Sequence, residues 1–134
     1  MALTAVDSSL LIPAVAPWHV DHGRADERLG QEVNLRMIGH VLLETYSWLT
    51  RNRPRTPPSV AAGLLRALPG PALVLSPQGH ARVLELAASR GLMGGAIYDA
   101  LIAATALEVD ARLLSRDERA AGTYAAVGVN FALV

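Results

Sequence analysis

Asp99 is the only charged residue between Ala96 and Leu107, in a run otherwise made of Ala, Leu, Ile, Thr and Tyr. Such a run predicts a helix buried almost all round. It is too short to span a bilayer, which takes about 20 apolar residues. An unpaired carboxylate on a buried helix costs several kcal/mol unless something compensates it. Asp117 is the natural neighbour, because Ala111 to Leu114 reads as a short buried strand and Ser115 to Glu118 opens the next helix. Asp7 directly follows a first apolar strand, Leu3 to Val6, and Glu44 lies early in a predicted helix, Val41 to Arg51. Each acid has a plainer local explanation. Asp7 suits a helix N-cap, worth about 1 kcal/mol. Glu44 suits a first helical turn, worth under about 1 kcal/mol. Ser115 to Glu118 fits the S-x-x-E capping box, with Asp117 a favourable first-turn acid. Together the four follow one rule: each lies just after a strand or in the first turns of a helix. In a parallel sheet those positions open on one edge. Two unit charges 4 Å apart cost about 4 kcal/mol at an effective dielectric of 20. A hard divalent cation, Mg²⁺ or Mn²⁺, removes that cost and prefers oxygen ligands. It also activates water and steadies charge on a transferring phosphoryl group. The implied chemistry is metal-dependent phosphoester hydrolysis.

The elements that must position these acids alternate along the chain. A helix opens at Ser8 and is limited by Pro13 and Pro17. Trp18 to Gly30 reads as a mostly polar helix, and Val33 to Ile38 alternates as a second strand. Pro57-Pro58 starts a helix reaching about Leu68, and Ala72 to Leu75 is a third strand. Pro77 to Arg90 is an amphipathic helix closed by Gly91, and a helix after Asp117 runs to about Val127. Val129 to Val134 is the last strand. The alternation argues for an α/β fold, a parallel sheet of about five strands flanked by helices. The 134 residues suffice for one domain spanning 1–134, and 51% are hydrophobic, enough for a full core.

Twelve basic and twelve acidic residues cancel, so the chain is no general polyanion binder. All twelve basic residues are Arg. There is no Cys, which excludes disulfides, thiol catalysis and Cys-based zinc sites and suits a cytoplasmic protein. No signal peptide and no membrane segment are expected. The Arg51-Asn-Arg-Pro-Arg55 loop, with Arg51, Arg53 and Arg55, and the separate Arg116 are candidates for phosphate contacts. His19 and His22 share a helix face, but no third ligand accompanies them for zinc.

The chain resembles the PIN-domain ribonucleases, and within them the VapC-type toxins of bacterial toxin–antitoxin pairs. Four segments carry the resemblance: Val6-Asp7-Ser8-Ser9-Leu10; Leu43-Glu44-Thr45-Tyr46; Tyr98-Asp99-Ala100-Leu101-Ile102-Ala103-Ala104-Thr105-Ala106; and Leu114-Ser115-Arg116-Asp117. The third is the most specific, and no acid is missing. The resemblance implies a PIN-like domain and an endoribonuclease that acts as a toxin by cutting RNA, tRNA or rRNA. It also implies a homodimer and inhibition by a cognate antitoxin. Asp7, Asp99 and Asp117 would hold Mg²⁺ or Mn²⁺, with Glu44 a fourth ligand or the group that positions the attacking water. Ser8 and Ser115 would donate hydrogen bonds to the carboxylates. Two other readings compete: a non-catalytic interaction module whose acids are caps, and a housekeeping PIN nuclease.

Overall fold

The computed structural model describes residues 2–134. Three short parallel strands form the sheet: β1 (Thr4–Val6), β2 (Arg112–Ser115) and β3 (Phe131–Leu133), in the order β1-β2-β3. Among the described residues seven helices surround it: α1 (Ser8–Val15), α2 (His22–Gly30), α3 (Gly39–Arg51), α4 (Pro58–Arg66), α5 (Pro77–Arg90), α6 (Ala96–Glu108) and α7 (Ala121–Val127). A 3₁₀ turn over Glu118–Ala120 precedes α7.

The two further strands predicted at 33–38 and 72–75 occur as single parallel bridges, Thr4 to Leu35 and Ile38 to Leu73. The first segment divides its bonds between two neighbours. Thr4 N–H donates to Asn34 O at 2.9 Å, and Gly39 N–H donates to Leu73 O at 2.9 Å. Each pairing stops at a single bridge. The five segments still lie in one parallel array, with 73 at one edge, then 35–38, β1, β2 and β3.

This order has one consequence for function. The chain runs outward from β1 to one side, then returns to the other side of β1 to lay down β2 and β3. The reversal lies between β1 and β2. In open α/β sheets that crevice, at the carboxyl ends of the strands, is where ligands bind.

The core fills both faces of this sheet. Ala5, Val6, Leu113 and Leu114 are fully buried, against Leu10 and Leu11 of α1, Val41 and Leu49 of α3, and Ile102, Ala103 and Ala106 of α6. Helix α1 continues two residues past Pro13, beyond the limit that proline sets in an isolated helix. Burial of Leu10, Leu11, Pro13 and Ala14 offsets the one lost backbone bond. Helix α2 begins at His22 rather than Trp18, because Pro17 to Asp21 forms turns whose imidazoles serve the backbone. Asp21 N–H donates to His19 Nδ1 at 3.1 Å, and His22 Nδ1 lies 2.8 Å from Pro13 O. Gly79 lets α5 approach α6: a Cβ there would meet Leu75 Cδ1 at 2.4 Å and Glu108 Oε2 at 2.7 Å. No helix among the described residues is long and apolar enough to cross a membrane.

Candidate active site

Asp7 sits at the β1–β2 reversal. Its backbone stays extended, and its N–H donates to Leu114 O at 3.1 Å, so the β1–β2 ladder carries it to the sheet edge. It stands at the N-cap position of α1, yet its side chain caps nothing. Three hydroxyls occupy it instead. Ser9 Oγ donates to Oδ1 at 2.5 Å, Tyr124 Oη donates to Oδ2 at 2.7 Å, and Ser115 Oγ donates to Oδ2. The residue is 3% exposed. A nearly buried carboxylate held by hydroxyls from α1, β2 and α7 is oriented by most of the fold. The N-cap explanation for Asp7 is set aside.

Ser115 is likewise not the first residue of a capping box. It ends β2 and is fully buried, accepting Asp117 N–H at 3.0 Å while it donates to Asp7. Asp117 caps the 3₁₀ turn itself, accepting Arg119 N–H at 3.0 Å. Arg119 also reaches its other oxygen at 3.3 Å. Ser9 completes the weave, accepting Arg116 N–H at 2.8 Å.

Asp99 lies in the first turn of α6 and is half-buried. It has no hydrogen-bond donor among the described residues. Burial raises its carboxyl above the usual range, and the charges of Asp117 and Asp7 push the same way; Arg119 opposes them. Glu44 is the sixth residue of α3, past the first turn, so the helix-start explanation does not hold it there. Burial again raises it first, the Asp99 and Asp7 charges add to that, and His40 and Ser8 counteract. Its Oε2 stands 3.7 Å from His40 Nε2, and its Oε1 is buried with no partner. Burial first, and then the Asp7 charge, drives the Tyr124 phenol far above its ordinary value, so it remains a donor. Asp99 is thus within electrostatic reach of Asp7, Glu44 and Asp117 around one crevice, and the like charge at Asp99 and Glu44 is only partly compensated, by Arg119 and His40. No three carboxylate or imidazole groups among the described residues close on a single point at metal-ligand spacing.

The remaining candidates separate. Ser8 faces Glu44, and its neighbour Ser9 holds Asp7. Arg116 Nη2 is engaged with Asp21 Oδ2 at 2.7 Å and ties β2 to the start of α2. Arg51, Arg53 and Arg55 are exposed, and Arg55 Nε donates to Arg51 O at 3.4 Å. Arg51 lies two helical turns beyond Glu44, roughly 10 Å along the axis. Ser9, Tyr124 and Arg119 escaped the sequence reading. For Ser9 the signal was present, a second hydroxyl after the strand acid; for Tyr124 it was a lone polar ring in an apolar helix.

A family model described as "PIN domain" matches residues 4–126. Ribonuclease VapC40 of Mycobacterium tuberculosis is 37% identical, over 98% of this chain and 99% of that protein. Ribonuclease VapC27 of the same organism is 38% identical over 128 residues, 94% of this chain and 93% of that protein. The crystal structure of VapBC2 from Rickettsia felis bound to a DNA fragment from their promoter superposes with a TM-score of 0.68. It covers 98% of each chain at 14% identity, a likeness of fold. The family model and the relatives agree, and the chain belongs to the PIN-domain family, in its VapC branch.

Proposed function

We propose that this chain is a divalent-metal-dependent endoribonuclease and the toxin of a toxin–antitoxin pair, with Asp7, Glu44, Asp99 and Asp117 as its catalytic carboxylates. One observation carries the reading: Asp99 and Glu44 are half-buried carboxyls at the sheet's reversal point, raised first by burial and further by neighbouring carboxylates, and Arg119 and His40 relieve them only in part. A protein that needed only a stable fold gains nothing from that arrangement.

The donor set is all oxygen and fits a hard cation. Glu44 Oε1 offers a buried lone pair without a partner, and Asp99 offers an undonated carboxylate. The looser spacing suits Mg²⁺ or Mn²⁺ bound partly through its own waters, since Mg²⁺ typically takes only one or two carboxylates directly. Asp7, Asp99 and Asp117 would hold it. When bound, the cation lowers the pKa of a water and offsets charge on the phosphoryl group. The chain's own residues do the positioning. Ser9, Ser115 and Tyr124 fix the Asp7 carboxylate. Glu44 Oε1 accepts a hydrogen bond from the attacking water. Arg119, exposed beside Asp117, and the Arg51–Arg55 loop contact phosphates on the incoming strand.

The relatives' name, ribonuclease, and the VapBC2 complex that shares the fold support an RNA substrate and an antitoxin partner. A homodimer of the toxin and translation arrest by cleavage of tRNA or rRNA belong to the same proposal. The absence of Cys fits a reducing cytoplasm. The test is cleavage of total RNA by purified protein with Mg²⁺ or Mn²⁺, beside an EDTA control and Asp99→Asn. Discrete fragments that vanish in both controls are expected. Fragments that persist in Asp99→Asn would overturn the assignment.

A further inference from the structure

The acidic crevice has an aromatic rim. His40 and Glu44 lie one turn apart on α3, and Tyr98 immediately precedes Asp99 on α6. The His40 and Tyr98 rings stack across the gap between these helices, centroids 5.1 Å apart and planes 8° from parallel. Tyr98 remains 51% exposed although one of its faces is covered. His40 Nε2 is buried with no hydrogen-bond partner and lies 3.7 Å from Glu44 Oε2, so the stack and that contact position the imidazole. His40 also borders an apolar groove of about 500 Å³, walled by Leu42, Leu43, Val74 and Leu101. At His40 the stack therefore meets apolar surface.

Tyr98 thus presents one open ring face, backed by a second ring and adjacent in sequence to a proposed catalytic acid. Such a face is the surface that unstacked bases use: sequence-tolerant RNA recognition relies on base–aromatic stacking beside the backbone contacts. We infer that Tyr98, backed by His40, is a stacking platform for an unpaired nucleobase next to the scissile phosphate. This rests on the nuclease reading above and adds a base-binding position to it. Stacking there seats the strand so that its phosphate reaches the carboxylates, and it selects for single-stranded or looped RNA over a closed duplex.

The experiment compares wild type, Tyr98→Ala and Tyr98→Phe on a short single-stranded oligoribonucleotide spanning a mapped cut, and on the same strand with one abasic position beside that cut. Tyr98→Ala is expected to raise KM about tenfold while kcat moves less than about twofold. Tyr98→Phe is expected to recover the lost affinity. The abasic strand is expected to raise KM for wild type and to make no further difference to Tyr98→Ala. Circular dichroism melts establish that the variants fold, as expected for a half-exposed side chain. Equal KM for wild type and Tyr98→Ala, or an abasic penalty that survives in Tyr98→Ala, would overturn the platform. If wild type cuts no RNA, the nuclease reading fails separately. Anisotropy of the labelled strand then decides the platform: binding lost in Tyr98→Ala upholds it, and equal or absent binding overturns it.

Discussion

Asp99→Asn should make the metal-free protein more stable while it abolishes activity. In wild type at neutral pH the Asp99 charge sits half-buried, opposed by Asp117 and Asp7 and partly relieved by Arg119. Two unit charges 4 Å apart cost about 4 kcal/mol at an effective dielectric of 20, and less as they separate. Solvent screening at a half-exposed group reduces that. The α6 dipole also favours a first-turn carboxylate by under about 1 kcal/mol. The net gain on neutralisation is about 1 kcal/mol, equivalent to about 3–5 °C in Tm for a domain of this size. The pH dependence has a definite sign. A carboxyl raised in the folded state binds its proton more tightly there than in the unfolded chain. Its destabilising contribution is therefore absent below the unfolded value near 3.9, grows as pH rises through the raised folded value, and is constant above it. The Asn variant should exceed wild type at pH 7.5 and match it near pH 4. Urea unfolding in EDTA, followed by the fluorescence of Trp18 and Trp48, measures both. Saturating Mn²⁺ should reverse the order, since a ligand at a hundred times its Kd adds about 2.7 kcal/mol to wild type. An Asn variant equal to or less stable than wild type at pH 7.5 in EDTA would refute the reasoning.

Tyr124→Phe removes one of three donors to Asp7 and should cost about 1.5–3 kcal/mol by urea unfolding, since a hydrogen bond to a charged group is lost in the core. Ser9→Ala should lower RNA cleavage more than Ser8→Ala, because Ser9 alone both donates to Asp7 and accepts Arg116 N–H; initial rates with matched metal decide it. Gly79→Ala should destabilise by about 1–3 kcal/mol through overpacking against Leu75 and leave cleavage intact at low temperature; thermal melts check this.

How legible each part was in the sequence follows from where its determinants lie. Helix α5 is specified to the residue, since Ser76 as cap, Pro77 in the first turn and left-handed Gly91 at the end are all local. The four acids are legible for the same reason: each adjoins an element visible in the local pattern. The segments at 33–38 and 72–75 are extended where the sequence places strands, yet their pairing depends on partners far along the chain, and they shrink to single bridges. Tyr124 reads as core because it is core; only the fold brings its hydroxyl to a carboxylate 117 positions earlier. Ser8 and Ser9 are indistinguishable to any periodicity, and the direction in which α1 leaves β1 assigns one to Glu44 and the other to Asp7. Arg116 looks like a free cation beside an acid until α2 supplies Asp21.

On the proposed reading, carboxylates gathered at the β1–β2 reversal jointly hold a divalent cation. Calorimetric titration of Mn²⁺ into wild type and Asp99→Asn at pH 7.5 tests it most directly. Saturable binding to wild type, weakened at least tenfold in the variant, is the predicted result. Equal binding to both proteins, or none to either, would contradict it.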